Sequence, residues 1–148
     1  MPARPVQRPF YYRRPIRWGD TDAAGIVFTA HYFDICMEAI ESWFLDTLEL
    51  DWFAMMHDCG LGSPFVHAEV DFHAPLTPRD VLLVRVDVER QGNSSLSLLL
   101  SGVREHDDRR TFTGHFTCCF NELASFTKIP IPDELRHRID NYQRRCAE

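Results

Sequence analysis

A change in hydrophobic period near Pro64 constrains the fold of this chain more than any other feature. From Ala30 to about Leu48, apolar residues recur at steps of three and four, which is the period of one helix face. After Pro64, apolar and polar residues alternate, which is the period of a strand with one buried face. The pattern therefore predicts one helix, about 28 Å long at 1.5 Å per residue, followed by a series of strands.

Four alternating segments follow the helix, and one broken apolar-aromatic run precedes it. The alternating segments are Val66–Phe72, Val81–Val88, Leu96–Leu100 and Thr111–Phe120. The earlier run, Phe10 to Trp18, contains Pro15, so a strand there must be broken or lie at a sheet edge. Short, hairpin-like connections are expected between the four later strands.

These elements predict an α+β architecture in which an antiparallel sheet of about five strands covers one long helix. One helix covers only one face of a sheet. Apolar residues on the opposite face, such as Leu83 and Leu99, therefore indicate oligomerisation. Residues 1–8 are expected to form a loose arm, residues 50–62 a short second helix, and residues 133–146 a C-terminal helix, all within one domain spanning 1–148.

Composition argues against several classes of function. A net charge of -6 disfavours a general nucleic-acid binder, and no apolar run approaches the roughly 20 residues of a membrane helix. The chain begins without the apolar core of a signal peptide, and its five cysteines lack C-x-x-C spacing. We therefore expect a reduced, soluble, cytoplasmic protein with no membrane partner, no metal and no cofactor. The strand histidines His67, His73 and His115 have no metal-ligand spacing and are expected at the surface or an interface.

The segment Gly19–Tyr32 carries the pattern that points to chemistry. It places Asp20, Asp22 and a turn at Gly25 immediately before the long helix. A helix N-terminus has unpaired N–H groups and a partial positive charge, so it stabilises an anion that forms there. A carboxylate just upstream can act on the same substrate as a base or a nucleophile. This combination suggests acyl transfer.

The same segment, Asp-Thr-Asp-Ala-Ala-Gly-Ile-Val-Phe followed by an aromatic-rich helix, resembles the signature loop of the 4-hydroxybenzoyl-CoA thioesterase family. The likeness covers roughly residues 10–140. Further similar segments are Gly62-Ser63-Pro64, Asp80-Val81-Leu82, Gly92-Asn93-Ser94-Ser95-Leu96 and Ile129-Pro130-Ile131-Pro132. The resemblance implies the hotdog fold, in which a sheet wraps one central helix. It also implies hydrolysis of an acyl-CoA to a carboxylic acid and coenzyme A, which enters as part of the substrate.

By this resemblance, Asp22 is the catalytic carboxylate, acting as nucleophile or as general base. Asp20 is expected to hold the loop by accepting backbone hydrogen bonds. The backbone N–H of Thr29, at the helix start, is expected to polarise the thioester carbonyl, where negative charge develops on attack. The family's active sites lie between subunits, so the resemblance also implies a homo-oligomer, a dimer at minimum and a tetramer by likeness.

The resemblance suggests further substrate-binding residues. Phe28, Tyr32 and Phe65 suggest an acyl pocket for an aryl or short- to medium-chain group. Gly62, Ser63 and Pro64 are expected to line it from the neighbouring subunit. His31 is expected either to orient substrate or water, or to face solvent at the helix start. Two departures from the family pattern argue against 4-hydroxybenzoyl-CoA itself as the substrate. Ala23 stands where the 4-hydroxybenzoyl-specific enzyme has a proline, and Arg90 is the one candidate left from that enzyme's CoA-phosphate cluster.

Two other functions compete with hydrolysis at this stage. A non-catalytic hotdog protein that binds acyl-CoA or CoA would carry the same fold. It would retain affinity for its ligand without Asp22. A hotdog dehydratase normally uses a histidine-based site, and the Asp-x-Asp-x-x-Gly loop of residues 20–25 argues against it. Hydrolysis of an acyl-CoA is the leading prediction.

Overall fold

The computed structural model describes residues 9–147, and the predicted arm at residues 1–8 lies outside this range. The elements are β1 (Tyr11–Pro15), a short 3₁₀ turn (Trp18–Asp20), α1 (His31–Thr47), α2 (Trp52–His57), β2 (Leu61–Gly62), β3 (Phe65–Phe72), β4 (Val81–Gln91), β5 (Ser95–Arg104), β6 (Arg110–Cys119), β7 (Asn121–Glu122), β8 (Thr127–Lys128) and α3 (Asp133–Ala147). The C-terminal helix thus spans nearly the predicted residues.

The five longer strands form one sheet in the order β1-β4-β5-β6-β3, with antiparallel neighbours throughout. β1 lies at an edge, as Pro15 requires. Strands β4, β5 and β6 follow one another through short turns, as predicted. The expected short connection placing β3 beside β4 is wrong, because β1 and β5 occupy both edges of β4. β3 therefore pairs with β6 at the far edge. A small second sheet, β2-β7-β8, was not predicted.

The alternating pattern correctly identifies the inner face of three strands. The fully buried side chains on this face include Leu82, Val84, Val86, Leu96, Leu98, Leu100, Phe112 and Phe116. The prediction of one buried face is wrong for β3, where Val66 is 63% exposed and Phe72 is 47% exposed. β3 has a partner on one side only, and its register with β6 shifts between Phe65 and His67, which interrupts the alternation at Val66.

The described residues form three α-helices, and the two shorter ones, α2 and α3, lie within or close to the residues predicted for them. The buried side chains of α1 form a stripe that is too wide for a sheet alone to cover; they are Tyr32, Ile35, Cys36, Ala39, Ile40, Trp43 and Phe44. Phe44 contacts Trp52 of α2, with ring centroids 5.7 Å apart, and Trp43 contacts Tyr142 of α3 at 5.5 Å. The predicted architecture, a sheet wrapped around one central helix, is therefore not confirmed in that form, because α2 and α3 also pack against α1. No helix within residues 9–147 is long and apolar enough to cross a membrane.

Candidate active site

A nearly buried ion pair anchors the loop that precedes α1. Both carboxylate oxygens of Asp20 accept hydrogen bonds from the Arg14 guanidinium, at 2.7 and 3.0 Å, and one also accepts the Arg17 N–H at 2.8 Å. The Arg14 guanidinium holds the pKa of Asp20 below its ordinary value. Arg14 also donates to Glu38 of α1 at 2.8 Å. Asp20 thus joins β1, the loop and α1, in agreement with its expected scaffold role.

Asp22 lies in a tight turn closed by an isolated antiparallel bridge between Thr21 and Val27. Its backbone N–H donates to the Ile26 carbonyl at 2.9 Å, and its side-chain Oδ1 accepts the Ala24 N–H at 2.8 Å. This is the local side-chain turn that aspartate favours. Gly25 completes the turn with a φ of 77°, a conformation that suits glycine. The turn fixes the Asp22 backbone and leaves its carboxylate exposed to solvent.

The segment entering α1 presents two free backbone donors, the N–H groups of Thr29 and Ala30. The N–H groups on either side of them are paired: that of Phe28 donates to the Asp20 carbonyl at 3.0 Å, and that of His31 donates to the Phe28 carbonyl at 2.9 Å. Within residues 9–147, no acceptor is found for the N–H groups of Thr29 and Ala30 between them. They precede the first residue of α1, where the helix dipole is most positive. Such donors can stabilise an oxyanion without rearranging.

A cleft of about 390 Å³ opens beside these donors. Its lining residues are Ile26, Val27, Thr29, Tyr32, Phe72, His73, Ala74 and Pro75. Its size and mostly apolar walls are typical of a small-molecule site. Thr29 and Tyr32 are the predicted site residues that line it. Sequence reasoning missed the far wall, formed by Phe72 to Pro75, because no local pattern brings the end of β3 to the start of α1.

The structure places Phe28 and His31 beside the cleft rather than in its wall. Their rings meet edge to face, with centroids 5.6 Å apart, and His31 is half-buried at the first position of α1. This geometry leaves both expected roles of His31 open. Substrate contact by Phe28 and His31 stays a prediction.

The remaining predicted residues lie far from this cleft in a single chain. Phe65 begins β3 and Phe72 ends it, so seven steps of about 3.3 Å place them roughly 23 Å apart. Ser63 and Pro64 precede Phe65, and buried Gly62 packs closely against the side chain of Asn121. A single chain therefore does not bring this predicted group to Thr29.

Arg90 lies still further from the Asp22 loop. It is exposed near the end of β4, nine residues beyond Val81, which pairs with Pro15 at the start of that loop. The separation along the strand is about 30 Å. Arg90 of the same chain therefore cannot contact the reacting thioester, and a role in binding the CoA phosphates stays a prediction.

No cluster of three or more histidine, cysteine or acidic side chains suited to a metal ion is present in the described part of the chain. The three strand histidines lie apart. His73 lies within hydrogen-bonding distance of the Thr113 hydroxyl at 3.0 Å, and His115 pairs with Glu89 at 3.0 Å. Glu89 raises the pKa of His115.

The model of the thioesterase-like superfamily matches residues 16–139. The chain belongs to this superfamily. It is 33% identical over 124 residues to a 1,4-dihydroxy-2-naphthoyl-CoA hydrolase from Thermosynechococcus vestitus, covering 84% of each chain. A solved thioesterase superfamily structure from Jannaschia sp. CCS1 superposes with a TM-score of 0.84 at 34% identity, covering 90% of this chain and 92% of that one. A 1,4-dihydroxy-2-naphthoyl-CoA thioesterase from Synechocystis superposes with a TM-score of 0.82 at 26% identity, covering 89% and 96%.

These relationships confirm the predicted hotdog fold and the activity of an acyl-CoA thioesterase. The narrower resemblance to 4-hydroxybenzoyl-CoA thioesterases is not shown, because the Thermosynechococcus and Synechocystis relatives are named for a naphthoyl-CoA substrate and the Jannaschia structure for no substrate. A protein that only binds acyl-CoA is correspondingly disfavoured.

Proposed function

We propose that this chain hydrolyses an aryl-CoA thioester at the cleft between the Asp22 loop and the end of β3. The observation that carries the proposal is the pair of N–H groups at Thr29 and Ala30, which lack an acceptor among the described residues and open on the cleft. The exposed carboxylate of Asp22 is not in the cleft wall but belongs to the same loop, seven residues before Thr29. The aromatic walls of Tyr32 and Phe72 and the aliphatic walls of Ile26 and Val27, in a cleft of about 390 Å³, suit an aryl group better than a charged one.

The chemistry follows from these positions. The thioester carbonyl oxygen accepts the Thr29 N–H, which stabilises the negative charge that develops on attack. Asp22 either attacks the carbonyl carbon or removes a proton from the attacking water. Collapse of the tetrahedral intermediate breaks the carbon–sulfur bond, and coenzyme A leaves as the thiol after taking up a proton. On the nucleophilic route, water then hydrolyses the mixed anhydride on Asp22.

The first experiment measures free thiol release from a panel of aryl- and alkyl-CoA esters. Asp22→Asn keeps the size of the side chain and one acceptor for the Ala24 N–H. We expect it to lower kcat by at least about a hundredfold, within the range assigned to acid–base catalysis. Asp58→Asn is the matched control, because Asp58 is exposed and its carboxylate contacts only the neighbouring His57. Unchanged turnover in Asp22→Asn would remove Asp22 from the mechanism.

A single-turnover reaction in ¹⁸O-labelled water separates the two roles of Asp22. If Asp22 is the nucleophile and water attacks its carboxyl carbon, the label enters Asp22 and the first product molecule carries an unlabelled oxygen from the side chain. If Asp22 is a general base, the first product molecule carries the label and a rapid quench contains no acyl group on Asp22; a labelled product together with such an acyl group shows that water attacks the acyl carbon of the anhydride.

We also propose that the active unit is a homodimer built on the edge of β3. This strand has an unpaired edge and exposed apolar side chains on Val66 and Phe72, a combination that invites pairing with another strand. Two copies related by a twofold axis pair antiparallel, so the start of β3 in one copy meets its end in the other. This pairing would bring the segment Gly62–Phe65 of a second subunit to the Thr29 cleft.

Sedimentation equilibrium and the thiol assay test this arrangement together. Val66→Asp introduces a charge at the proposed seam and should yield a monomer with little activity. Phe126→Asp is the control, since Phe126 is 73% exposed against 63% for Val66 but lies between β7 and β8, away from β3. A fully active monomer would refute the proposal. A tetramer through the outer sheet face, where Leu83 and Leu99 are half-buried, stays a prediction for the same measurement on the wild type.

A further inference from the structure

Tyr32 carries a polar group into the mostly apolar cleft. It is the second residue of α1, and its side chain is 4% exposed. Its ring lies edge-on against Phe72 at 4.9 Å and Phe112 at 5.6 Å between centroids. Contacts with rings from two different strands hold the tyrosine in one orientation. The position of its hydroxyl relative to the Thr29 N–H is therefore fixed by the fold.

The Tyr32 hydroxyl differs from that of the other buried tyrosine. The hydroxyl of Tyr142 donates to the Val86 carbonyl and accepts the Phe10 N–H. The hydroxyl of half-buried Tyr12 donates to Glu38 at 2.9 Å. No such partner for the Tyr32 hydroxyl exists within residues 9–147, and burial alone raises the pKa of Tyr32.

Although Tyr32 as a residue is 4% exposed, its hydroxyl oxygen is not one of the buried polar atoms that lack a partner, so it reaches solvent where Tyr32 lines the cleft. A phenylalanine would pack against Phe72 and Phe112 with the same ring and would present no polar group there. Among the other lining residues only Thr29 and His73 carry polar side chains, and the His73 ring lies within hydrogen-bonding distance of the Thr113 hydroxyl, at 3.0 Å. The hydroxyl is thus suited to a partner that arrives with the substrate.

We infer that the Tyr32 hydroxyl recognises a polar substituent, such as a ring hydroxyl, on the acyl group of the substrate. This inference rests on the proposed function, and it adds a specificity-determining residue to it. The hydroxyl donates to or accepts from the ring substituent while the Thr29 N–H holds the thioester carbonyl. The distance between these two groups then selects which position on the ring carries the substituent.

The test compares benzoyl-CoA with its 2-, 3- and 4-hydroxy derivatives as substrates of the wild type and of Tyr32→Phe. The wild type should prefer one hydroxylated isomer over benzoyl-CoA. Tyr32→Phe should lower kcat/KM for that isomer about tenfold more than it lowers kcat/KM for benzoyl-CoA, as expected for one hydrogen bond. Tyr11→Phe is the matched control. Tyr11 is exposed on β1, so this substitution removes a tyrosine hydroxyl that lies outside the cleft.

Three results separate this inference from the proposed function. Equal losses for all four substrates in Tyr32→Phe would show a structural role and overturn the inference. A wild type that hydrolyses aryl-CoA esters without preferring a hydroxylated one would also overturn it, while leaving the proposed function intact. A wild type that hydrolyses alkyl-CoA but none of the four aryl esters would overturn the proposed function itself.

Discussion

Replacing Asp20 with asparagine tests whether one ion pair holds the Asp22 loop in place. The substitution removes the charge that Arg14 faces at 2.7 and 3.0 Å, in a carboxylate whose side chain is only 11% exposed. Breaking a buried ion pair by removing one partner costs about 3–5 kcal/mol. Asparagine still accepts one hydrogen bond, and Glu38 still faces Arg14, so we expect a loss of about 2 kcal/mol. For a chain of 148 residues this lowers Tm by about 4–8 °C.

The adjacent residue on β1 supplies an internal control. Arg13 makes a similar two-point contact with Glu105, at 3.1 and 3.0 Å, but the Glu105 side chain is 41% exposed. Exposed pairs contribute about 0–1 kcal/mol. Urea unfolding should therefore show that Glu105→Gln destabilises the protein much less than Asp20→Asn does. Equal losses would refute the argument that burial makes the Asp20 pair important.

The pH dependence of the same measurement checks the cause. Because Arg14 lowers the pKa of Asp20 in the folded state, the folded protein binds this proton less readily than the unfolded chain. The stabilisation is therefore complete above the ordinary aspartate pKa of about 3.9 and is lost as pH falls through the folded-state pKa. The stability difference between wild type and Asp20→Asn should be constant from about pH 5 to 8 and should shrink below about pH 4. A difference that persists at pH 2 would exclude the ion pair as its cause.

Three further substitutions test the local geometry. Gly25→Ala forces a non-glycine residue to a φ of 77° and should lower the free energy of unfolding in urea by about 1–2 kcal/mol, with a larger relative loss of thioesterase activity. Unaltered stability would contradict the assigned turn. Gly102→Ala places a Cβ 2.3 Å from Phe112 Cε1 and should lower the free energy of unfolding by about 1–3 kcal/mol. Adding Phe112→Leu should recover part of this loss in the double variant, and additive losses would contradict the packing argument. Thr29→Ala keeps the backbone donor and should retain near wild-type kcat, so a large loss would assign the role to the side chain instead.

Local patterns predicted much of the sheet because they record which face of an element is buried. The alternation of Leu82, Val84 and Val86 requires only that β4 has one apolar side, and all three are buried. The same reasoning failed for Val66 and Phe72, whose alternation is equally regular. Val66 lies where the register between β3 and β6 shifts, and Phe72 lies at the end of an edge strand. Alternation contains neither piece of information.

The candidate site divides in the same way. Asp22 and Thr29 are seven residues apart in one loop, and the turn at Gly25 folds that loop back on itself, so the path of its backbone is a local property. The far wall of the cleft comes from Phe72 and His73, which are 40 or more residues later in the chain. Only strand order places them there.

The sequence by itself determined the position of the long helix, the inner faces of β4 to β6 and the turn that leads into α1. Each of these depends on residues within a few turns or steps of one another, where periodicity and turn geometry decide the outcome. The tertiary structure decided that β3 crosses to the far edge, that α2 and α3 complete the cover of α1, and that Tyr32 faces a cleft. Those outcomes depend on which sheet edges and helix faces remain free after other elements pack, and that is a property of the whole chain.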